Sequence, residues 1–199
     1  MTQPEIRHID EEAFPEVYHA NFKRDFPKGE LRPLFATMPL FKKGIYTCYG
    51  YYDGNTLLAY ATFIHHKEHG DRLLDYMAVI PVYRSQGIGQ AFLTSLINLF
   101  EAEHLTTGLL IEVETPEAAN NPDDQHTRHR RIQFYARCGA ITLPIRGITF
   151  GVDYQILYIP LIQDNTQQEP DILLHHLQSL YYQMLPKPMQ KMIGYKLTN

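Results

Sequence analysis

Three groups of residues in this chain have the types and spacing to do chemistry. The first is Arg84-Ser85-Gln86-Gly87-Ile88-Gly89-Gln90, which follows an apolar run and precedes an amphipathic one. Glycines let the backbone curl so that several N–H groups face one anion, a following helix adds the positive end of its dipole, and Arg84 adds a full charge. The same Gly-x-Gly also suits a plain tight turn into a helix. The second group is Ile111-Glu112-Val113-Glu114. Strand alternation sends Ile111 and Val113 to one face and both glutamates to the other, as proton acceptors or as the wet face of a half-buried strand. Asp75, just before Met77-Ala78-Val79, is a further carboxylate, either a base or one half of a structural ion pair. The third group is the basic run Arg128-His129-Arg130-Arg131, which suits a solvated helix face or a patch for phosphates or an acidic substrate.

These residues need elements to hold them. Residues 11–24 carry Phe14, Val17, Tyr18 and Phe22 at helical spacing, with Pro15 tolerable only in a first turn. A short helix is expected from about Glu30 to before Pro39. Residues 45–52 and 56–65 read as a hairpin around Asp53-Gly54-Asn55, because such turns need positive φ. A third strand over 73–79 is closed by Pro81, which has no amide hydrogen for a ladder. The loop then leads into a helix with Phe92, Leu93, Leu96, Ile97 and Phe100 on one face. A strand over 109–113, a long connection over 115–125, a helix from about His126 and strands near Ala140 and over 152–159 complete a mixed α/β pattern. After a polar stretch at 163–169, Pro170-Asp171 opens a helix striped with Ile172, Leu173, Leu174, Leu177, Leu180 and Tyr181. The expected organisation is a domain over 1–162 and a helical extension over 163–199. That extension packs on the domain or on a second copy in a homodimer, with residues 186–199 loosely held.

Composition closes off other classes. The chain has 199 residues, 44% hydrophobic and 20% charged, with a formal charge of −4. It therefore has a globular rather than a disordered balance and no basic footprint for nucleic acid. The polar N-terminus MTQPEIRHID is unlike a signal peptide, and no apolar run reaches the ~20 residues of a membrane span. A cytoplasmic protein without membrane partner is expected. Cys48 and Cys138 form no CxxC, and the adjacent pairs His65/His66 and His175/His176 do not suit joint ligation, so no metal is expected.

The loop fits neither a P-loop, lacking Lys-Ser/Thr, nor a dinucleotide fingerprint, lacking a third glycine. Arg84-x-x-Gly87-x-Gly89 resembles the coenzyme A loop of the GNAT acetyltransferases, Arg/Gln-x-x-Gly-x-Gly/Ala after a strand. Arg131-Ile132-Gln133-Phe134-Tyr135-Ala136-Arg137-Cys138-Gly139-Ala140 resembles the family's second motif, a helix with Tyr four residues before its closing Gly. The resemblance implies a largely antiparallel sheet with central splayed strands flanked by helices, and acetyl-CoA as cosubstrate. It implies cofactor contacts at Met77, Ala78, Val79, Arg84, Ser85, Gln86, Gly87, Ile88, Gly89, Gln90 and Tyr135, the first three through their backbone in the manner of strand addition. Arg128 and Arg131 stand where many members have Asn and Ala, so direct coenzyme contact from those positions is not carried over.

Acetyl transfer to an amine dictates the remaining roles. An alkylammonium of pKa ~10.4 must lose a proton before attack, which calls for a carboxylate: Glu114 first, Glu112 second, Asp75 third. The leaving thiolate, pKa ~8.5, gains from an acid, and the resemblance assigns this to Tyr135, otherwise a core aromatic beside Phe134. The same resemblance makes the main-chain N–H near Val79 an oxyanion donor. The acceptor is a small-molecule or peptide amine. A non-catalytic acyl-CoA sensor and a nucleotide-phosphate binder are the competing readings.

Overall fold

The structure, a computed structural model, describes residues 4–66, 68–162 and 169–198. Most of the expected polar stretch at 163–169 lies outside the described residues. The chain forms two compact units, residues 1–65 with 74–98, and residues 66–73 with 99–199.

In the first unit the strand order is β1 (Glu5–Ile9), β2 (Tyr46–Asp53), β3 (Thr56–His65) and β4 (Asp71–Val79), of which residues 74–79 belong here. β1 pairs antiparallel with β2, and β2 with β3. The hairpin turn is Gly54-Asn55, with Gly54 at φ +57 where L residues are strained. β1 was not expected, because its sequence EIRHI lacks clean alternation and only Ile9 is buried.

The first helical segment is not a regular helix. It runs as α1 (Phe14–Val17), a π turn (Tyr18–Phe22) and α2 (Lys23–Asp25). Phe14, Tyr18 and Phe22 recur every four residues, which drifts around a 3.6-residue turn, and the wider π turn offsets that drift. All three rings are buried together, Phe14 against Phe22 at 5.4 Å and Tyr18 stacked on Phe22 at 5.6 Å. The next helix, α3 (Leu34–Lys42), runs through Pro39 instead of stopping before it. Proline removes the donor to Phe35 and crowds its carbonyl. Phe35 is 81% exposed, so that carbonyl has water within reach, and the turn continues with Lys43 N–H donating to Pro39 O at 3.1 Å.

The second unit holds β5 (Gly108–Glu114), β6 (Ile141–Thr149), β7 (Val152–Pro160) and β8 (Ile193–Leu197), in the order β5-β7-β6-β8 with every pairing antiparallel. Helix α5 (Pro122–Arg137) begins earlier than expected. Asn121 caps it, its side-chain oxygen accepting from Asp124 N–H at 2.9 Å, with Pro122 at the first position and Asp123 and Asp124 in the first turn. The connection after β5 is correspondingly shorter, and Pro116–Ala118 forms a 3₁₀ turn within it.

Helix α6 (Pro170–Met184) buries Leu173, Leu177, Leu180, Tyr181 and Met184 and packs against β6 and β8. A short α7 (Lys187–Gln190) follows. The end of the chain is not loosely held, because residues 193–197 are β8 on the edge of β6. Gly147 permits this close approach, since a Cβ there would lie 2.4 Å from the Tyr195 ring. Helix α4 (Ile88–Glu103) buries Phe92, Leu93, Leu96 and Phe100, the stripe expected from their spacing.

Candidate active site

In the first unit the glycine segment forms a shaped loop. A 3₁₀ turn at Pro81–Tyr83 leads to Arg84 in an extended conformation, then Ser85 at φ +61 and Gly87 at φ +79, and α4 starts at Ile88. Two left-handed residues on either side of Gln86 fold the backbone into a concavity beside a helix N-terminus, where N–H groups lack intrahelical partners. A Cβ on Gly87 would meet nothing within 4 Å, so the space above it is open. Gln86 is tied to the loop by donating to Val82 O at 3.0 Å.

Arg84 is half-exposed but not free. Its Nε donates to Val79 O at 2.9 Å and its Nη2 meets Asp25 Oδ1 at 2.9 Å. Asp25, only 1% exposed, also binds Arg24 at 2.6 Å and accepts from the Tyr60 hydroxyl at 2.9 Å. Asp25 was not singled out in the sequence, where nothing marks a lone Asp before Phe26-Pro27. Asp75 is held by Arg32 through two contacts, 2.7 and 3.0 Å, and accepts from Tyr46 at 2.9 Å. Met77, Ala78 and Val79 are half-buried at the end of β4.

The second unit carries the other carboxylates. Ile111 and Val113 are buried while Glu112 and Glu114 are partly open, as alternation requires. Glu114 Oε1 meets Arg128 Nη2 and its Oε2 meets Arg131 Nη1, both at 3.1 Å. The basic run is therefore not simply a solvated face. Arg128 is 8% exposed, also binds Asp124 at 3.1 Å, and donates to Thr115 O at 2.9 Å. Glu112 accepts from Tyr181 at 2.6 Å and from Tyr195, and Tyr195 is also hydrogen-bonded to Thr149. Neither tyrosine was foreseen as a partner, since both lie in the last third of the chain.

Tyr135 sits at the C-terminal end of α5, where its carbonyl accepts from Ala140 N–H at 3.0 Å while Gly139 N–H donates to Ala136 O at 3.1 Å. With Gly139 at φ +92 this is a Schellman cap, and the four-residue spacing of Tyr and Gly is the spacing of that cap. The Tyr135 ring packs edge-on against Phe134 at 5.1 Å. Burial pushes its phenol up to about 12, partly offset by the Arg131 guanidinium. It is a neutral donor at ordinary pH.

Elsewhere in the second unit His69, Asp71 and His176 converge, and of these the sequence singles out only His176. The adjacent histidine pairs drew attention, whereas the group combines His69-x-Asp71 with one residue of a distant helix. Burial, then the His176 and His66 imidazoles, hold His69 down to about 4. A histidine with a folded pKa below its unfolded ~6.5 leaves the unfolded chain more protonated between those values, so stability falls as pH drops from about 6.5 toward 4. In EDTA, urea melts across that window should show this slope, and His69→Gln should flatten it.

Residues 44–139 match the family described as acetyltransferase (GNAT) domain. No curated protein matches the chain. Among solved structures, the ribosomal-protein-S18-alanine N-acetyltransferase from Escherichia coli is similar at 21% identity over 82% of this chain and 98% of its own, with TM-score 0.57. An N-acetyltransferase from Staphylococcus aureus Mu50 is similar at 18% identity, 81% and 100% coverage and TM-score 0.59. Mutant forms of the spermidine/spermine N-acetyltransferase from Vibrio cholerae are similar at 12% identity, 84% and 100% coverage and TM-score 0.58. Among the described residues no helix is long and apolar enough to cross a membrane.

Proposed function

We propose that this chain, whose residues 44–139 match the family described as acetyltransferase (GNAT) domain, moves an acetyl group from acetyl-CoA to a primary amine by direct attack in a ternary complex. The observation that carries the reading is the loop backbone, with Ser85 and Gly87 left-handed immediately before α4. That geometry presents main-chain N–H groups to a phosphate without needing a side chain at Gly87. Ser85, Gln86, Gly87, Ile88, Gly89 and Gln90 hold the pyrophosphate, Arg84 supplies charge from its anchored position, and the backbone of Met77, Ala78 and Val79 binds the pantetheine arm by strand-like hydrogen bonds.

Tyr135 donates the proton to the departing thiolate, a role supported by a phenol that stays protonated. Among the carboxylates, Glu114 is the first candidate for the base that takes the amine's proton, and the Arg128 and Arg131 guanidiniums hold it in place. Glu112, which accepts from the Tyr181 and Tyr195 hydroxyls, is the second candidate. The acceptor is an amine of a small molecule or of a peptide, the two kinds named for the similar structures. A cytoplasmic location accords with this substrate pair.

Thermal shift with acetyl-CoA, CoA, ATP and NAD tests the reading. A ligand at a hundred times its dissociation constant stabilises the folded state by about 2.7 kcal/mol, and the coenzyme A forms alone are expected to shift the melt. Gly87→Val should abolish that shift, because it places a branched side chain in the open space above the loop at a positive φ. Equal shifts with ATP or NAD would make the loop a general phosphate binder, and no shift with either coenzyme A form would remove the transferase reading.

A further inference from the structure

In the second unit His69, Asp71 and His176 each offer one ligand atom, and these atoms lie within 4.8 Å of one another. They come from the segment ahead of β4, from its first residue and from the middle of α6. The Asp71 carboxylate is 1% exposed, and among the described residues no lysine or arginine forms an ion pair with it. Its Oδ1 accepts from Thr107 at 2.7 Å and from Tyr158 at 2.9 Å, and its Oδ2 meets His176 Nδ1 at 2.5 Å. Neutral hydroxyls satisfy its lone pairs but bring no opposite charge, and a buried carboxylate without one is costly.

The imidazoles are held as ligands are held. His69 Nε2 is fixed by Ser179 Oγ at 2.7 Å, and Ser179 is itself fixed by donating to His176 O at 2.8 Å. The His69 ring is stacked on His176 at 4.0 Å and on His66 at 4.5 Å, both nearly parallel. Its other nitrogen, Nδ1, is buried and has no hydrogen-bond partner among the described residues. One nitrogen anchored by a hydrogen bond, the other turned inward and unmatched, is the arrangement by which second-shell groups orient a metal-ligating histidine. Thr107 and Tyr158 do the same for Asp71 by pinning Oδ1 and leaving Oδ2 toward the rings.

We propose that His69, Asp71 and His176 form a site for one divalent transition-metal ion of the zinc class, bound by Asp71 Oδ2 and one nitrogen of each imidazole. Two nitrogens and a carboxylate oxygen suit zinc or cobalt rather than magnesium or calcium, which take oxygen ligands. Metal–ligand distances of about 2.0–2.2 Å require side-chain rotations on the order of an ångström from the present positions. The ion neutralises the buried carboxylate and takes the unmatched His69 nitrogen, and it clasps α6 to the start of β4. Three protein ligands leave a position for water, and His176, 15% exposed, leaves a path for entry.

The test uses the untagged full-length chain stripped with EDTA. Zn²⁺ titrated against a chromophoric chelator is expected to bind at one equivalent per chain with submicromolar affinity, and Co²⁺ is expected to give the visible absorption of a low-coordinate nitrogen–oxygen site. His69→Gln and His176→Gln should each weaken binding at least tenfold, while His175→Gln, at an exposed position, should leave it unchanged. Circular dichroism in EDTA verifies that the variants fold, and the wild-type titration and Co²⁺ spectrum stand even if one does not. Absence of stoichiometric binding at micromolar Zn²⁺ in the wild type overturns the proposal. So does binding that survives both the His69 and His176 replacements.

Discussion

Tyr135→Phe is expected to lower kcat by about 10²–10⁴-fold with little change in the KM for acetyl-CoA, the range that a positioned proton donor contributes. The ring's packing on Phe134 and the Schellman cap at Gly139 involve no hydroxyl, so the substitution should leave the fold intact. Because the phenol sits near 12, the loss should be uniform across neutral pH rather than confined to one limb of the profile. Steady-state kinetics with a polyamine and with a peptide N-terminus as acceptors would measure it. An unchanged kcat would return Tyr135 to the role of a packing aromatic, and a rise in KM alone would make it a coenzyme contact without chemistry.

Arg128→Met should destabilise the chain by about 2–3 kcal/mol. Removing one partner of a buried ion pair costs roughly 3–5 kcal/mol because the remaining charge is stranded. Here the loss falls at the low end or below it, since Glu114 and Asp124 are 23% and 28% exposed and regain some hydration. Methionine keeps much of the aliphatic stem, so the effect isolates the guanidinium and its bond to Thr115 O. Urea melts would show it as a lower midpoint at unchanged slope. A change under about 0.5 kcal/mol would mean that the cluster is held by its neighbours rather than holding them.

The hairpin, the stripe on α4 and the two motifs were legible because each is a local pattern. Gly54 and Gly87 sit where only positive φ serves, and Tyr135 and Gly139 stand at the spacing of a helix cap. The acetyltransferase resemblance rests on such short-range signals, and the match over 44–139 spans the same motifs. What escaped was either weakly patterned or distant in sequence. β1 and β8 are five residues each, too short for alternation to stand out. The π turn depends on how three rings pack, not on propensity. The partners of Glu112, Glu114 and Arg84 come from Tyr181 and Tyr195, from Arg128 and Arg131, and from Asp25. The spacing of Arg128 and Arg131 shows which helix face they share but not that a glutamate 14 and 17 positions earlier waits there.

The pairing of Tyr195 with Glu112 also sets an order of events during synthesis. Glu112 is made 83 residues before the tyrosine that binds it, an interval of about 4–17 s at roughly 5–20 residues per second. Through that interval the β1–β2–β3 ladder, whose residues all precede position 66, has everything it needs to pair. The second unit, by contrast, has a strand edge on β6 open until β8 emerges. A nascent chain stalled before residue 193 would therefore expose that edge, and the open ladder of β6 is the surface a ribosome-associated chaperone would have to shield.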